Sequence, residues 1–203
     1  MGTLVKKLEK FDRPKKQGLT VTVSGLAGSG KTTIAQIIAQ ETGLEYVSAG
    51  KIFRDLAKKN GVTLEQFSAT RSKDVDYMID QKTLELARKG GVVLDGRITG
   101  WVAGTHAQIK IYTKAEDQEI AQRVALRDNK TLKKALKDVQ DRNKSDVKAY
   151  KKTYGIDATN QTIYNYVLDN TFPTYKEIRE MAKLIAEIVK KRFSKQLKTF
   201  KKR

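Results

Sequence analysis

The chain has 203 residues, with 41 Lys and Arg against 23 Asp and Glu for a formal net charge of +18, a length that suits one domain around a single core. No cysteine and a single histidine exclude a disulfide framework, a thiolate metal site and a His-rich metal centre. No run of 18 apolar residues occurs and no apolar stretch opens the chain, so it reads as a soluble cytoplasmic protein without membrane contact.

Residues 1–18 hold six basic and two acidic side chains and read as a basic extension. Leu19 to Ser24 alternates like a strand and runs into Gly25-Leu26-Ala27-Gly28-Ser29-Gly30-Lys31-Thr32, followed by Thr33 and a helical pattern over 31–42. Strand, G-x-x-x-x-G-K-[ST] loop and helix, in that order, make a phosphate cradle. The glycines let backbone N–H groups converge on an anion, and the helix N-terminus adds its positive end. Lys31 supplies a point charge for the donor's β- and γ-phosphates and Thr32 a hydroxyl for Mg²⁺. Residues 25–33 are therefore the expected ATP-binding segment. A glycine-rich turn with no ligand is the plain alternative, and it leaves the lysine unexplained.

A short strand at 45–48 leads into Ser48-Ala49-Gly50 and a helix over 51–60 carrying Arg54. Small residues at a helix start, then an arginine one turn in, suit a second phosphate. Residues 51–60 and 64–89 read as mostly helical, with breaks at Gly61 and 68–72. Gly90-Gly91 opens Val92-Val93-Leu94, a continuous apolar run for a strand buried on both faces, and Asp95 ends it. A carboxylate there can hold Mg²⁺ across from Thr32, directly or through water. Gly96 lets the chain turn near a ligand and Arg97 can fork onto a phosphate; a simple strand-ending turn is the alternative.

A strand follows at 107–112, then a helix over 116–128 that puts Arg123 and Arg127 on one face. Glu119 and Asp128 could pair with them as surface residues. Beside a P-loop they read instead as a clamp for a phosphoryl group in transfer. The helix over 131–154 carries Arg142 among lysines, able to close from above. A short strand at 164–168 and an amphipathic helix from Pro173 complete an alternation that argues for an α/β layered fold around a parallel sheet. Asn143-Lys144-Ser145-Asp146 matches the guanine-reading N-K-x-D pattern. It lies inside a helix rather than after a strand, so it reads as coincidence. His106 reads as a loop or core residue, and Trp101 as packing more than as a base-stacking platform.

Five matches in order resemble the nucleoside monophosphate kinases, and among them the archaeal-type cytidylate kinases, over roughly residues 19–190. They are the P-loop, Ser48-Ala49-Gly50-x-x-x-Arg54, Asp95-Gly96-Arg97 with Gly100-Trp101, Arg123-x-x-x-Arg127, and Tyr150-x-x-x-Tyr154-Gly155-Ile156-Asp157. The P-loop and the arginine pair are shared with many small kinases, and the other three are more specific. The resemblance implies a three-layer P-loop NTPase fold with a five-stranded parallel sheet, flanking helices and a helical lid at about 127–154. It implies Mg²⁺ with ATP as donor, and CMP and dCMP as acceptors. Ser48, Gly50, Arg54, Asp95, Gly96 and Arg97 would form the substrate site, and Lys31, Arg123, Arg127 and Arg142 would serve transfer. Two departures stand out. Leu26-Ala27 replaces the proline-bearing pair common in these loops, and the lid has one arginine amid lysines, which cannot form a bidentate fork.

The excess charge lies in residues 1–18, in 127–152 with ten basic and four acidic groups, and in 190–203 with eight basic and none acidic. Ends of this kind suit salt-dependent, sequence-blind contact with RNA, or simply keep a small protein soluble. Phe193, Leu197 and Phe200 fall at helical spacing, so the C-terminal extension, taken as 191–203, can continue the last helix. An adenylate kinase or other small-acceptor P-loop kinase is the alternative within the class. An RNA- or ribosome-associated P-loop NTPase is the alternative outside it. A monomer is expected.

Overall fold

The first strand sets the layers. The computed structural model describes residues 18–62 and 73–200, and in it β1 (Thr20–Ser24) is buried along its whole length. Leu19, Val21 and Val23 point to one face and pack with Ile34, Ile38, Ile178, Ile185 and Val189. Thr20, Thr22 and Ser24 point to the other, where Thr20 Oγ1 donates to the carbonyl of Ala87 at 2.9 Å. A strand with one apolar and one hydroxyl-bearing face can carry a core on one side and a hydrogen-bonded site on the other.

In chain order β1 is followed by α1 (Lys31–Thr42), β2 (Glu45–Ser48), α2 (Ala49–Lys59), α3 (Lys73–Lys89), β3 (Val92–Asp95) and α4 (Thr99–Ala103). A 3₁₀ turn (Gly104–His106) leads to β4 (Ile109–Lys114), α5 (Asp117–Asp128), α6 (Leu132–Tyr154), β5 (Tyr166–Asp169), α7 (Tyr175–Arg192) and α8 (Ser194–Phe200). The five strands are all parallel, in the order β2-β3-β1-β4-β5. Helices α1 and α7 cover one face, and Ala87 of α3 and Ala103 of α4 meet Val92 and Leu94 on the other. The chain reverses strand order beside β1, so the carboxyl ends of β1 and β3 open together, where α/β sheets bind ligands.

Several boundaries differ from the sequence expectation. The fourth strand runs 109–114 rather than 107–112. Gln108 is spent outside the ladder, its side chain accepting from Thr20 N at 2.7 Å while its own N–H donates to the carbonyl of Thr20. The last strand begins at Tyr166 rather than Tyr164, because Tyr164 closes a turn onto Gln161 and tilts against Tyr112. The last long helix starts at Tyr175 rather than Pro173, since Thr174 and Glu177 form a reciprocal capping box. It breaks at Phe193, so the C-terminal segment forms a separate helix instead of a continuation. The α4 turn was not anticipated; it is five residues long, with Ser24 Oγ accepting from Gly100 N at 2.9 Å. The helical reading of 64–72, with its break, and residues 1–17 lie outside the described residues.

Helix α6 spans 23 residues, roughly 35 Å at 1.5 Å per residue. Its amino half pairs with α5 through Ala135 and Val139 against Ile120 and Val124. Its carboxyl half brings Val147, Tyr150 and Tyr154 onto Leu84, Ile98, Trp101 and Val102. One rigid element thus bridges the two sides of the sheet's open end.

Candidate active site

The loop after β1 is held from three sides. Gly28 has φ +80°, and a Cβ there would collide with Ile120 of α5. Gly30, the N-cap of α1 at φ +86°, lies under Asn170, whose Nδ2 donates to the carbonyl of Ser29 at 2.7 Å. Positive φ and close approach leave no room for a side chain at either position. Ser29 Oγ donates to the carbonyl of Leu26 at 3.0 Å and lies 2.7 Å from Thr113 Oγ1. The loop is therefore a built cradle rather than a slack turn.

Lys31 reaches back across it, and its Nζ donates to the carbonyl of Leu26 at 2.8 Å. Burial lowers its pKa from 10.5 to about 8. The charge of Asp95 opposes that shift, and those of Arg97 and Arg142 add to it. The charges of Arg97 and Arg142 are thus felt at the buried Lys31, against the carboxylate of Asp95 and the Asp146 partner of Arg97, an arrangement that suits a polyanion. Thr32 Oγ1 donates to Asp95 Oδ2 at 2.8 Å, and Tyr46 of β2 donates to the same oxygen at 2.9 Å. Burial and then the Asp95 charge raise the Tyr46 phenol to about 12. Asp95 itself is buried at the end of β3.

Arg97 follows on the β3–α4 loop. Its guanidinium forms a largely buried ion pair with Asp146 of α6, and its carbonyl accepts from Gly25 N at 3.4 Å. Three residues earlier on α6, Asn143 Oδ1 accepts from Ala27 N at 3.0 Å. A single turn of α6 therefore touches the P-loop and the Arg97 loop at once. Gly96 donates its N–H to the carbonyl of Val23, and Ser48 and Gly50 sit at the junction of β2 and α2.

Arg123 is anchored on both sides. Its Nε donates to Glu119 at 3.0 Å, as the surface-pair alternative expects, and its Nη2 donates to the carbonyl of Asn170 at 2.5 Å. Asn170 in turn holds Ser29, so this arginine is linked to the P-loop through one residue. Arg142 is exposed on α6 beside Asn143. The side chains of Arg54 and Arg127 lie outside the described residues.

Four contributors escaped the sequence reading: Tyr46, Asn143, Asp146 and Asn170. Asn143 and Asp146 are half of the N-K-x-D match set aside as coincidence. The guanine-reading role is still foreign to a mid-helix position, yet both residues face the site. A signal was available in the stripe Val139, Asn143, Val147, Tyr150 and Tyr154, where one amide interrupts an apolar helix face. Tyr46 and Asn170 carry no comparable signal.

Fold and site define a P-loop kinase. The family model described as an AAA domain matches residues 21–151. Solved structures of similar fold include a shikimate kinase from Acinetobacter baumannii at 16% identity and TM-score 0.58, covering 86% of this chain and 94% of that one. A gluconokinase from Sinorhizobium meliloti has TM-score 0.54 at 14% identity, covering 90% and 99%. Sequence relatives sharpen the class. The cytidylate kinase of Pyrobaculum neutrophilum is 39% identical over 182 residues, covering 88% of this chain and 99% of its own. That of Methanocaldococcus jannaschii is 39% identical over 158 residues, covering 75% and 89%. The chain belongs to the cytidylate kinase family, and is a nucleoside monophosphate kinase. Among the described residues no helix is long and apolar enough to cross a membrane.

Proposed function

We propose that this chain transfers the γ-phosphoryl group of ATP to CMP, and to dCMP, giving ADP and the diphosphate, as a cytoplasmic monomer. The observation that carries this reading is the hydrogen bond from Thr32 to Asp95, which joins the donor loop to the start of the Asp95-Gly96-Arg97 turn. Residues 19–190 form the catalytic domain on this reading, with 127–154 as its lid. The P-loop N–H groups and Lys31 hold the donor phosphates. Ser48, Gly50, Arg54, Asp95, Gly96 and Arg97 hold the acceptor, and Arg123, Arg127 and Arg142 balance charge on the moving group.

Mg²⁺ fits the donor set. It prefers one or two protein oxygens plus phosphate and water to an all-protein cage, and the Thr32 hydroxyl and Asp95 carboxylate supply such a pair 2.8 Å apart. When bound it would neutralise phosphate charge. No general base is needed, because a monophosphate oxygen is already anionic at neutral pH. Closure of α6 keeps water from competing with the acceptor.

ADP release from MgATP, measured with CMP, dCMP, AMP and RNA each as sole additive, tests the reading. CMP-dependent turnover that falls at least ~100-fold in Lys31→Ala is expected. Turnover driven by AMP alone, or by RNA alone through the basic ends, overturns it in favour of an adenylate kinase or an RNA-associated NTPase.

A further inference from the structure

Asn143 sits at the centre of the lid-to-loop contact and is only 7% exposed. Its Oδ1 accepts from the backbone N–H of Ala27 at 3.0 Å. That bond fixes which way the amide points, since a backbone N–H donates only to the oxygen. The Nδ2 group is then committed to the opposite side. It is buried there and, among the described residues, has no hydrogen-bond partner.

A buried amide donor without a partner is costly, and native proteins seldom leave one so. Here it belongs to a residue touching the phosphate cradle, next in sequence to Arg142, whose charge is felt at Lys31. Asn143 also lines an open cavity of about 960 Å³ with Leu26 of the P-loop, Lys144 and Lys148 of α6, and the carboxylates Asp117 and Asp141. The residue at the loop end of its hydrogen bond is alanine, which has the N–H that a proline at this position would lack.

We propose that Asn143 is a ligand of the donor's phosphate chain, its Oδ1 holding the P-loop at Ala27 while its Nδ2 donates to a phosphate oxygen. The assignment rests on the reading of the P-loop as the donor site. One planar amide couples lid position to donor binding: α6 is seated on the loop through one edge and on the nucleotide through the other. A lid with few arginines gains a neutral donor that needs no counter-charge when buried.

Asn143→Asp separates this role from simple anchoring of the loop. The carboxylate keeps an acceptor for the Ala27 N–H in the same shape and removes the donor. Calorimetric titration with MgATP and, separately, with CMP supplies the readout, and Ser145→Asp controls for a charge added at an exposed position on the same turn of α6. Asn143→Asp is expected to weaken MgATP by about 30-fold or more and Asn143→Ala by about 10-fold, the range lost with a hydrogen bond to a charged group. Ser145→Asp should stay within about threefold, and CMP affinity within about twofold in all three. MgATP affinity within about threefold of the parent in Asn143→Asp overturns the proposal. So does an equal loss for MgATP and CMP together with a lowered melting temperature, which is the mark of a structural residue. Lys31→Ala is run alongside. If it too binds MgATP normally, the donor-site reading has failed, whereas its failure to bind beside a normal Asn143→Asp condemns only the role of Asn143.

Discussion

Lys31 carries its charge where burial and two arginines work against charge, with Asp95 as the opposing influence. Its ammonium therefore titrates near 8 instead of 10.5. Below that value the lysine is charged in both folded and unfolded chains, and holding it buried costs stability. As pH climbs from about 8 toward 10.5 the unfolded chain binds more protons, so that cost is relieved. Donor affinity moves the other way, because a polyphosphate binds the ammonium form. MgATP affinity should be flat below about pH 7.5 and fall by up to about tenfold per unit above pH 8, with proton uptake on binding. Lys31→Arg removes the titration, since a guanidinium stays charged throughout. Titration calorimetry from pH 6.5 to 9.5 should show the slope in the parent and none in Lys31→Arg; a slope common to both would assign it to another group. Tyr46, raised to about 12, does not titrate in this window. Lys31, Thr32, Asp95 and Arg97 were all legible in the sequence, because loop-forming glycines and a strand end mark them locally. Asn143, Asp146 and Asn170 were not, because each acquires its role only when a distant element crosses the loop.

Helix α6 shows what such a crossing does. Its apolar amino end is fastened to α5 and its aromatic carboxyl end to α3 and α4, so the turn between them is delivered over the site as a rigid bar. Asp146 uses that position to hold Arg97, a long side chain that would otherwise sample many rotamers. Replacing the carboxylate by an amide keeps the shape and trades a charge-assisted bond for a neutral one, a loss of about 1–1.5 kcal/mol. Asp146→Asn should therefore raise KM for CMP about tenfold and leave KM for MgATP within about twofold. Steady-state kinetics with each substrate varied in turn check this. A lowered KM for CMP would mean that Asp146 competes with the acceptor phosphate instead of orienting its arginine. The helix itself was expected over 131–154 and runs Leu132–Tyr154, with Thr131 as its cap and Gly155 as its stop. The two-sided contact was not, because a helix-period pattern gives the face that is buried and not what lies beneath it. The α4 turn was missed for a related reason: five residues are too few to show a period, and Ser24 of β1 holds its Thr99 and Gly100 from outside.

The molecule's +18 charge directs attention to its ends, yet the C-terminal end is part of the fold as well as a basic tail. After the break at Phe193, α8 turns Leu197 into the main core, 9% exposed and clustered with Leu19, Ile38, Ile185 and Val189. Lys190 meanwhile bridges back to Glu41 of α1 at 3.1 Å. The helical spacing of Phe193 and Leu197 in the sequence pointed to an apolar edge. The density of lysine around it made the segment read as an extension, because charge composition is visible locally and burial is not. Lys195 is exposed on this docked helix, so its charge and the packing of Leu197 are separable properties. Leu197→Ala leaves a cavity where α8 meets α7 and should cost about 2–3 kcal/mol of unfolding free energy. Lys191→Ala, an exposed position at the end of α7, should change it by less than about 0.5 kcal/mol. Urea unfolding followed by circular dichroism gives both numbers. Equal and negligible effects would return residues 191–203 to the status of a solvated extension; a loss confined to Leu197→Ala makes Leu197 part of the last layer of the core.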